Sequence, residues 1–334
     1  MTTAQEIQAG LGRFLTREWG KPVEATELGV ASAGARRRNV LFEAVQGGER
    51  TPLVATIIPN VAMQALPIEV EAAALRMAEA AGAPAPHVHG VSDDASFVGG
   101  PFFITQRLDG ETIPRRVLRL IEQEPGLGAK LTRQCGAALA QIHAADTGAA
   151  HPDLPRNVRP IEAALAGVNT LIDGLLQPSP TFALAAGWLE RQRPTEPERC
   201  TLVHGDFRNG NLIVGSEGLR AVLDWEVTHL GDPMEDPGWL CQRMWRFRND
   251  EFEVGGFGTR ADLRAGYEAA GGRFDEDRFV WWKIMGTLKW GLGLAGQAAA
   301  HLDGSVPSVV MAASGRRVAE LEYDLLMLMK PAFT

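Results

Sequence analysis

The side chains best suited to chemistry in this sequence lie in one segment, residues 202–226. It carries two carboxylates, Asp206 and Asp224, and one amide, Asn211. Carboxylate and amide oxygens are hard ligands of the kind that Mg²⁺ accepts, and the ion usually completes its coordination with phosphate oxygens and water. The segment is therefore a place where a metal ion and a phosphate group could meet.

Short strands and a tight turn are predicted to position these side chains. Three β-prone runs occur at residues 201–203, 211–214 and 220–223. Glycines at both ends of the turn between the second and third runs supply the positive φ angles that a tight hairpin needs. The first residue of one hairpin strand faces the last residue of the other, so Asn211 and Asp224 should lie at the same end. Asp206 lies just before that end.

Length and composition allow two lobes and exclude several classes of protein. The chain has 334 residues, 45% of them hydrophobic, and a net charge of −8 with one basic run at residues 36–38. We therefore expect neither nucleic acid nor a membrane surface as a partner. The three cysteines are far apart and form no CxxC motif, which argues against disulfides and structural zinc and favours a reducing cytoplasm. The first ten residues lack the features of a signal peptide, and no membrane span is predicted.

Patterning divides the chain into a strand-rich part and a helical part. The first part has predicted helices at 4–19 and 67–80, a loop of small residues at 28–38, and strands at 39–45, 51–58 and 102–108. The second has an apolar helical stripe at 127–142 and predicted helices at 161–176, 182–193, 239–248, 263–270, 278–300 and 309–329. Asp236 is predicted to cap the helix at 239–248. The change of pattern near Asp109 predicts two lobes, residues 1–108 and 109–334.

The motif His-Gly-Asp at 204–206, with Asn211 and Asp224 behind it, resembles the catalytic segment of the aminoglycoside phosphotransferase family. The resemblance covers nearly the whole chain and includes a small-residue loop at 32–36, a helix around Glu71, and a strand and hinge at 103–110. Within the family, the sequence most resembles the branch associated with acyl-CoA dehydrogenases. The resemblance implies an α+β, protein-kinase-like fold of two lobes. The N-lobe would be mostly antiparallel sheet with one main helix, and the C-lobe mostly helical with a catalytic hairpin.

The resemblance also implies roles for particular residues. The activity would be an ATP- and Mg²⁺-dependent transfer of phosphate to a hydroxyl group of a small molecule, with Asp206 as the catalytic base and Asn211 and Asp224 as metal ligands. The residues expected to bind the nucleotide are Ser32, Gly34 and Arg36 in the small-residue loop and Gln106 and Leu108 in the hinge. Supporting positions are Glu71 in the N-lobe helix, His204 as a brace for the loop, and Arg208 near phosphate or substrate.

One position departs from the family pattern. Kinase-like folds usually carry a lysine or arginine in the strand corresponding to residues 53–58, paired with the helix acid, but this strand has Thr56 and no cation. We hypothesise that one of the arginines at 36–38 replaces it, although such a triplet could also be a solvated surface cluster. Without a replacement, the chain would be a kinase-like nucleotide-binding module with weak or no catalysis.

The acceptor and the oligomeric state stay open at the level of sequence. Most of the eight tryptophans fall in the C-terminal helices, where a few could give an acceptor pocket an apolar wall. Arg243, Arg246 and Arg248 lie beside them and could bind a carboxylate or phosphate on the acceptor.

Overall fold

The structure is a computed structural model that describes residues 2–33 and 37–330, with the backbone only at residues 30–33 and 63. The elements of the N-terminal lobe are α1 (Ala4–Trp19), β1 (Glu24–Ala33), β2 (Arg38–Gln46), β3 (Glu49–Ile57), α2 (Ile68–Ala80), β4 (Val88–Ser92) and β5 (Phe102–Gln106). A short 3₁₀ turn, Val61–Met63, precedes α2.

The N-terminal lobe is built on one antiparallel sheet of five strands in the order β1-β2-β3-β5-β4. Helix α1 packs its apolar stripe on this sheet, and Leu11 and Phe14 share a fully buried cluster with Phe42 of β2 and Leu53 of β3. Helix α2 packs against β4 and β5. This arrangement confirms the predicted sheet-based lobe with one main helix beside the lead-in helix.

Strand β1 is not predicted from the sequence pattern. A loop is predicted at 28–38, but Glu24–Ala33 forms a strand that pairs with β2 as far as Arg38. The register of the pair shifts twice along its length. Small residues carry a weak β signal, and this part of the strand is paired irregularly with its neighbour, which the local sequence does not reveal.

The remaining elements form a mostly helical C-terminal lobe. Its helices are α3 (Pro114–Gln123), α4 (Leu127–His143), α5 (Pro160–Asp173), α6 (Pro180–Arg191), α7 (Glu235–Leu240), α8 (Arg260–Ala269), α9 (Glu276–Leu302), α10 (Val309–Gly315) and α11 (Val318–Met329). Its short strands are β6 (Thr201–Val203), β7 (Leu212–Gly215), β8 (Gly218–Val222) and β9 (His229–Gly231). The long helix α9 lies at the centre of the lobe, where it contacts α5, α6, α7, α10 and α11. Across residues 2–33 and 37–330, no helix combines the length and apolar character needed to cross a bilayer.

The predicted hairpin forms in the C-terminal lobe. Strands β7 and β8 are antiparallel, with Leu212 opposite Val222. Just beyond the paired strands, the N–H of Leu223 donates to the carbonyl of Asn211 at 2.8 Å, which brings Asp224 close to Asn211. The first predicted run is also a strand, β6, but it pairs with β9 and not with the hairpin.

Two predicted helices differ from the structure. The helix expected at 239–248 is replaced by α7, which starts earlier and is followed by a 3₁₀ turn, Arg243–Arg246. Positive φ angles of 51° at Phe247 and 75° at Arg248 end the helical path there. Asp236 lies in the first turn of α7, so the prediction that it caps this helix is wrong. The single helix expected at 309–329 is divided into α10 and α11.

Helices α4 and α8 are held in close contact by two glycines. A Cβ atom at either Gly136 or Gly266 would overlap a backbone carbonyl of the facing helix. This close approach brings the ring of His143, at the end of α4, within 2.9 Å of the hydroxyl of Tyr267 on α8. The packing of the two helices therefore positions a buried histidine of the lobe.

Replacing Gly266 by alanine should lower the free energy of unfolding by about 1–3 kcal/mol, because the added methyl group forces the helices apart. Gly167→Ala is the matched control, since Gly167 lies inside α5 with open space around its missing side chain. That control should raise stability by about 0.5–1 kcal/mol through helix propensity alone. Urea denaturation followed by circular dichroism measures both, and equal effects of the two variants would contradict the packing account.

Candidate active site

A cleft of about 580 Å³ lies between the two lobes and is lined by residues of both. Its apolar walls are Leu41, Val54 and Phe103 from the sheet and Ile213 and Val222 from the hairpin. The charged residues Arg37, Glu71 and Asp224 also line it. Such a cleft can hold a flat heterocycle between its apolar walls and phosphate groups beside its charges.

The two predicted hinge residues line this cleft. The N–H of Gln106 already donates to the carbonyl of His87 at 2.9 Å. The N–H of Leu108, in contrast, has no hydrogen-bond acceptor within the described part of the chain. A base lying between the apolar walls could accept a hydrogen bond from Leu108, while Gln106 has only its carbonyl to offer.

The carboxylate of Asp206 is held by three side chains. Trp239 donates its indole N–H to Oδ1 at 2.8 Å, and Asn211 donates from Nδ2 to Oδ2 at 2.7 Å. The Nε of Arg208 lies 3.0 Å from both oxygens. A carboxylate has roughly four lone-pair sites, and these contacts use them. The side chain is nevertheless 20% exposed, so a small molecule can reach it.

The fully buried carboxylate of Asp236 fixes the backbone of the loop that carries Asp206, residues 204–211. Asp236 accepts the N–H of His204 on Oδ2 at 2.9 Å and the N–H of Gly205 on Oδ1 at 2.8 Å. The same Oδ2 lies 3.1 Å from Nε2 of His143, whose Nδ1 faces the hydroxyl of Tyr267. The contact between α4 and α8 is therefore linked to the loop by a continuous chain of hydrogen bonds.

His204 links the two ends of the segment 204–223 as a neutral ring. Its Nε2–H donates to the carbonyl of Leu223 at 3.0 Å, and its Nδ1 accepts the N–H of Asp206 at 3.1 Å. Burial lowers the pKa of His204, although the carboxylates of Asp236 and Asp206 oppose that shift. Both nitrogens are used within the loop, which fits a bracing role.

Asn211 and Asp224 lie together beside Asp206. The amide nitrogen of Asn211 donates to Asp206, which leaves its oxygen as the atom for a cation. Asp224 has a left-handed backbone, with φ of 67°, and its Oδ1 is buried without a hydrogen-bond partner in residues 2–33 and 37–330. Burial raises the pKa of Asp224 to about 6, with nearby carboxylates adding to the shift and Arg37 opposing it. A buried carboxylate oxygen without a hydrogen-bond partner is a suitable ligand for Mg²⁺, so these residues fit the expected ion.

The protein would supply only part of such a metal site. Within the described ranges, no group of three or more His, Cys, Asp or Glu side chains is placed to hold a metal ion. Mg²⁺ commonly takes one or two protein oxygens and completes its octahedron with phosphate and water. One carboxylate oxygen and one amide oxygen at the edge of a cleft match that coordination pattern.

Arg37 forms an ion pair with Glu71, the helix acid that a cation in the strand at residues 53–58 would usually contact. Its Nη1 and Nη2 each donate to one oxygen of Glu71 at 2.8 Å, a bidentate pair. Its Nε donates to Glu226 at 3.0 Å, and its Nη1 lies 3.8 Å from Oδ1 of Asp224. The Arg37 side chain is 16% exposed and that of Glu71 only 2%. Burial by itself lowers the pKa of Arg37, but the three carboxylates outweigh it and raise that pKa, so the guanidinium stays charged.

The predicted nucleotide loop is described only in part. Gly34 and Arg36 lie outside the described residues, and at Ser32 the backbone alone is described, within β1. Thr56, at the usual cation position, donates its hydroxyl to Oδ1 of Asn39 at 2.9 Å, and both residues line the cleft. The strand position therefore carries a hydrogen bond in place of a charge.

Three residues of the site have no sequence signal that identifies their contacts. Glu226 follows Asp224 by two positions, but its bond to Arg37 joins residues 189 apart. Asp236 has the pattern of a helix cap, yet its carboxylate serves the backbone of another segment. Trp239 reaches Asp206 only because α7 lies beside the loop. These contacts depend on how distant segments pack.

Comparison with known proteins identifies the family. The family model described as the Phosphotransferase enzyme family matches residues 27–279, which contain all the described candidate residues of the cleft and loop. Acyl-CoA dehydrogenase family member 10 of Mus musculus is 31% identical over 196 residues, which cover 56% of this chain and 17% of that protein. Acyl-CoA dehydrogenase family member 11 of Gallus gallus is 27% identical over 255 residues, which cover 70% of this chain and 31% of that protein. The chain thus spans less than a third of the length of these relatives.

Solved structures share the fold over nearly the whole chain. A candidate aminoglycoside phosphotransferase from Ralstonia eutropha has a TM-score of 0.72 at 20% identity, covering 96% of this chain and 98% of its own. A thermostable mutant of aminoglycoside phosphotransferase APH(4)-Ia, in a ternary complex with AMP-PNP and hygromycin B, has a TM-score of 0.62 at 19% identity, covering 94% and 98%. These structures establish the two-lobed, kinase-like α+β fold. Because the family model matches well over half of the sequence, the chain belongs to the Phosphotransferase enzyme family.

Proposed function

We propose that this chain is an ATP- and Mg²⁺-dependent phosphotransferase that phosphorylates a hydroxyl group of a small molecule. The observation that carries the proposal is the meeting of Asp206, Asn211 and Asp224 beside an interlobe cleft that also contains the pair of Arg37 and Glu71. Membership of the family supports the reaction class. A neighbour of the same fold that holds AMP-PNP together with hygromycin B supports a nucleotide and a small acceptor.

In the proposed reaction, the acceptor oxygen forms a bond to the γ-phosphorus of ATP. The bond between that phosphorus and the β,γ-bridging oxygen breaks, and ADP leaves. The hydroxyl proton passes to the carboxylate of Asp206. Because phosphoryl transfer has a loose transition state, alignment and charge stabilisation matter more than a strong base. A carboxylate held by three donors suits this task, since it orients the hydroxyl and takes the proton late.

Asp206 can accept the hydroxyl only when one of its present donors moves away. Arg208 is the best candidate, because its Nε spans both oxygens at 3.0 Å and its side chain is 24% exposed. Trp239 and Asn211 each make a shorter bond to a single oxygen. We therefore propose that Arg208 turns toward the γ-phosphate when the nucleotide binds. That movement would give the hydroxyl a lone pair on Asp206 and bring positive charge to the transferring group.

Asn211 and Asp224 would hold the metal ion through the amide oxygen and the buried carboxylate oxygen. When bound, Mg²⁺ supplies positive charge that offsets the negative charge of the phosphates. The left-handed backbone at Asp224 costs about 1 kcal/mol, which is the kind of local strain that persists where the surrounding structure requires a particular side-chain direction.

A nucleotide-binding module with weak or no catalysis is the second candidate function, and it is favoured by the absence of a cation at Thr56. The pair between Arg37 and Glu71 argues against it, because Arg37, the residue just before β2, brings a guanidinium to the helix acid. We propose that Arg37 takes the part of the strand cation, orienting Glu71 and offering its remaining N–H groups to phosphate. An enzyme would hydrolyse ATP slowly without an acceptor, whereas a module would only bind it.

Replacing Asp206 by asparagine keeps the shape of the side chain and removes the proton acceptor. We expect slow ATP hydrolysis without acceptor to fall about 100-fold or more, with the Kd for ATP in Mg²⁺ changed by less than about threefold. Phosphate release gives the rate and isothermal titration calorimetry gives the Kd.

The matched control for this variant is Asp173→Asn, which changes an exposed carboxylate at the end of α5. It should alter neither quantity. Hydrolysis that survives in Asp206→Asn would contradict the role of Asp206. Tight ATP binding without any hydrolysis by the wild-type chain would favour the module.

Replacing Arg37 by glutamine should weaken ATP binding in Mg²⁺ at least about tenfold, because a charge-assisted contact to phosphate is lost. It should also lower the free energy of unfolding by about 3 kcal/mol, since Glu71, 2% exposed, loses its cation. Calorimetry and urea denaturation measure the two effects. Arg38→Gln, at the neighbouring position, is the control and should show neither.

A double variant separates the two effects of Arg37. Arg37→Gln combined with Glu71→Gln has no unpaired buried charge, so its stability should return toward the wild-type value. Its ATP affinity should stay low. If ATP affinity recovered together with stability, Arg37 would act only by supporting the fold, and its proposed contact with the nucleotide would be wrong.

A further inference from the structure

A second cavity lies beside the catalytic loop in the C-terminal lobe. It has a volume of about 560 Å³ and is bounded by the start of α3, the segment 243–250, α9 and α11. Its walls combine aromatic with charged side chains, notably Trp245, Phe247, Trp290, Arg115 and Arg248. Aromatic walls with a few charged groups are typical of sites for small molecules.

Trp245 connects this cavity to the catalytic loop. Its ring lines the cavity and lies 4.7 Å from the guanidinium of Arg208, which in turn contacts Asp206. The ring centroid of Trp239, whose indole donates to Asp206, lies 5.7 Å from that of Trp245. The loop that carries Asp206 also approaches the cavity at the start of α3. A Cβ atom built at Gly210 would lie 3.3 Å from the side chain of Pro114, the residue before Arg115. A ligand in the cavity is therefore separated from Asp206 by little more than one layer of side chains.

The charges around the cavity are unequal. Four arginines and three acids line it, and the acids are already bound: Arg243 contacts Asp250 at 2.9 Å and Asp324 at 3.2 Å, and Arg317 contacts Glu320 at 3.1 Å. Arg115 and Arg248 have no acidic partner in the described part of the chain. Two exposed guanidinium groups are thus available to a ligand that enters.

The aromatic walls also lack hydrogen-bond acceptors. The indole nitrogens of Trp245 and Trp290 are buried, and neither has a partner within residues 2–33 and 37–330. Trp245 is only 7% exposed. A buried donor without an acceptor is destabilising, and a ligand oxygen reached by a small movement of these rings would relieve that cost. The two indole N–H groups and the guanidinium groups of Arg115 and Arg248 are thus donors that a ligand could use.

We propose that this cavity binds the acceptor, and that the acceptor is an alcohol carrying a carboxylate or phosphate on an apolar body. The inference rests on the proposed phosphotransferase function and assigns its substrate class. The apolar body packs on Trp245 and Trp290, and the anionic group is bound by Arg115 and Arg248. The hydroxyl group is then directed past Trp245 toward Asp206. A polycationic acceptor would meet the guanidinium groups of Arg115 and Arg248, which have no acidic partner in the described part of the chain, and is disfavoured.

The indole N–H signals of ¹⁵N-labelled protein give a direct test. With the cleft saturated by AMP-PNP and Mg²⁺, the protein is titrated with four probes of similar size: 3-phenyllactate, 2-phenylethyl phosphate, 3-phenyl-1,2-propanediol and phenylalaninol. These carry a carboxylate, a phosphate, no charge and an ammonium group. The signals of Trp245 and Trp290 are assigned by Trp245→Phe and Trp290→Phe. We expect them to shift with one or both anions in the millimolar range, and at least about tenfold more weakly with the other probes.

Charge-removing variants identify the groups that bind the anion. Arg115→Gln and Arg248→Gln should each raise the Kd of the better anion about tenfold. Arg116→Gln is the matched control, because Arg116 is the exposed neighbour of Arg115 on α3 and does not line the cavity. It should leave the Kd unchanged. The preference between the two anions identifies the acidic group.

The outcomes separate this inference from the proposed function. If ATP neither binds nor is hydrolysed, the proposed function fails. If ATP is bound and hydrolysed but the indole signals follow phenylalaninol or the diol as strongly as the anions, or follow no probe, the assignment of an anionic acceptor is wrong. Equal effects of Arg116→Gln and Arg248→Gln would also overturn it, since they would reflect surface charge alone.

Discussion

The guanidinium of Arg37 joins the two lobes where they meet at the cleft. It binds both oxygens of Glu71 in the N-terminal lobe and one oxygen of Glu226 in the C-terminal lobe, and it lies 3.8 Å from Asp224. A buried carboxylate such as Glu71 is costly unless it is paired, so this contact both stabilises the fold and fixes where the lobes meet. One side chain therefore links the helix acid Glu71 to Asp224, one of the two proposed metal ligands.

Buried carboxylates determine the rest of the site in the same way. Asp236 holds two successive backbone N–H groups of the loop, and this fixes the direction in which Asp206 leaves the chain. The ring of His204, neutral because burial lowers its pKa, completes the loop from inside. Asp206 and Asp224, in contrast, remain partly exposed. The buried acid Asp236 stabilises the backbone of the loop, whereas Asp206 and Asp224 lie where a ligand in the cleft could contact them.

The sequence predicts the parts of this structure that local chemistry determines. The hairpin, and with it the proximity of Asn211 and Asp224, follows from alternating β-prone runs and glycines. The sequence identifies Arg37 only as one of three arginines that could replace the missing strand cation. Which of them reaches Glu71 depends on where β2 begins relative to α2. The contacts of Asp236 and Trp239 could not be predicted, since both join segments more than 30 positions apart through packing. Gly34 and Arg36 stay predictions, because they lie outside the described residues.

A crystal structure with AMP-PNP and Mg²⁺ would show whether one cleft assembles the nucleotide, the metal ion and Arg37. We expect the base at the N–H of Leu108, the ion bound by the oxygens of Asn211 and Asp224, and Arg37 still paired with Glu71. We also expect that Arg208 has left Asp206 for the γ-phosphate. A nucleotide bound away from Asn211 and Asp224, or an Arg37 that has released Glu71 and turned to solvent, would show that the proposed site is wrong.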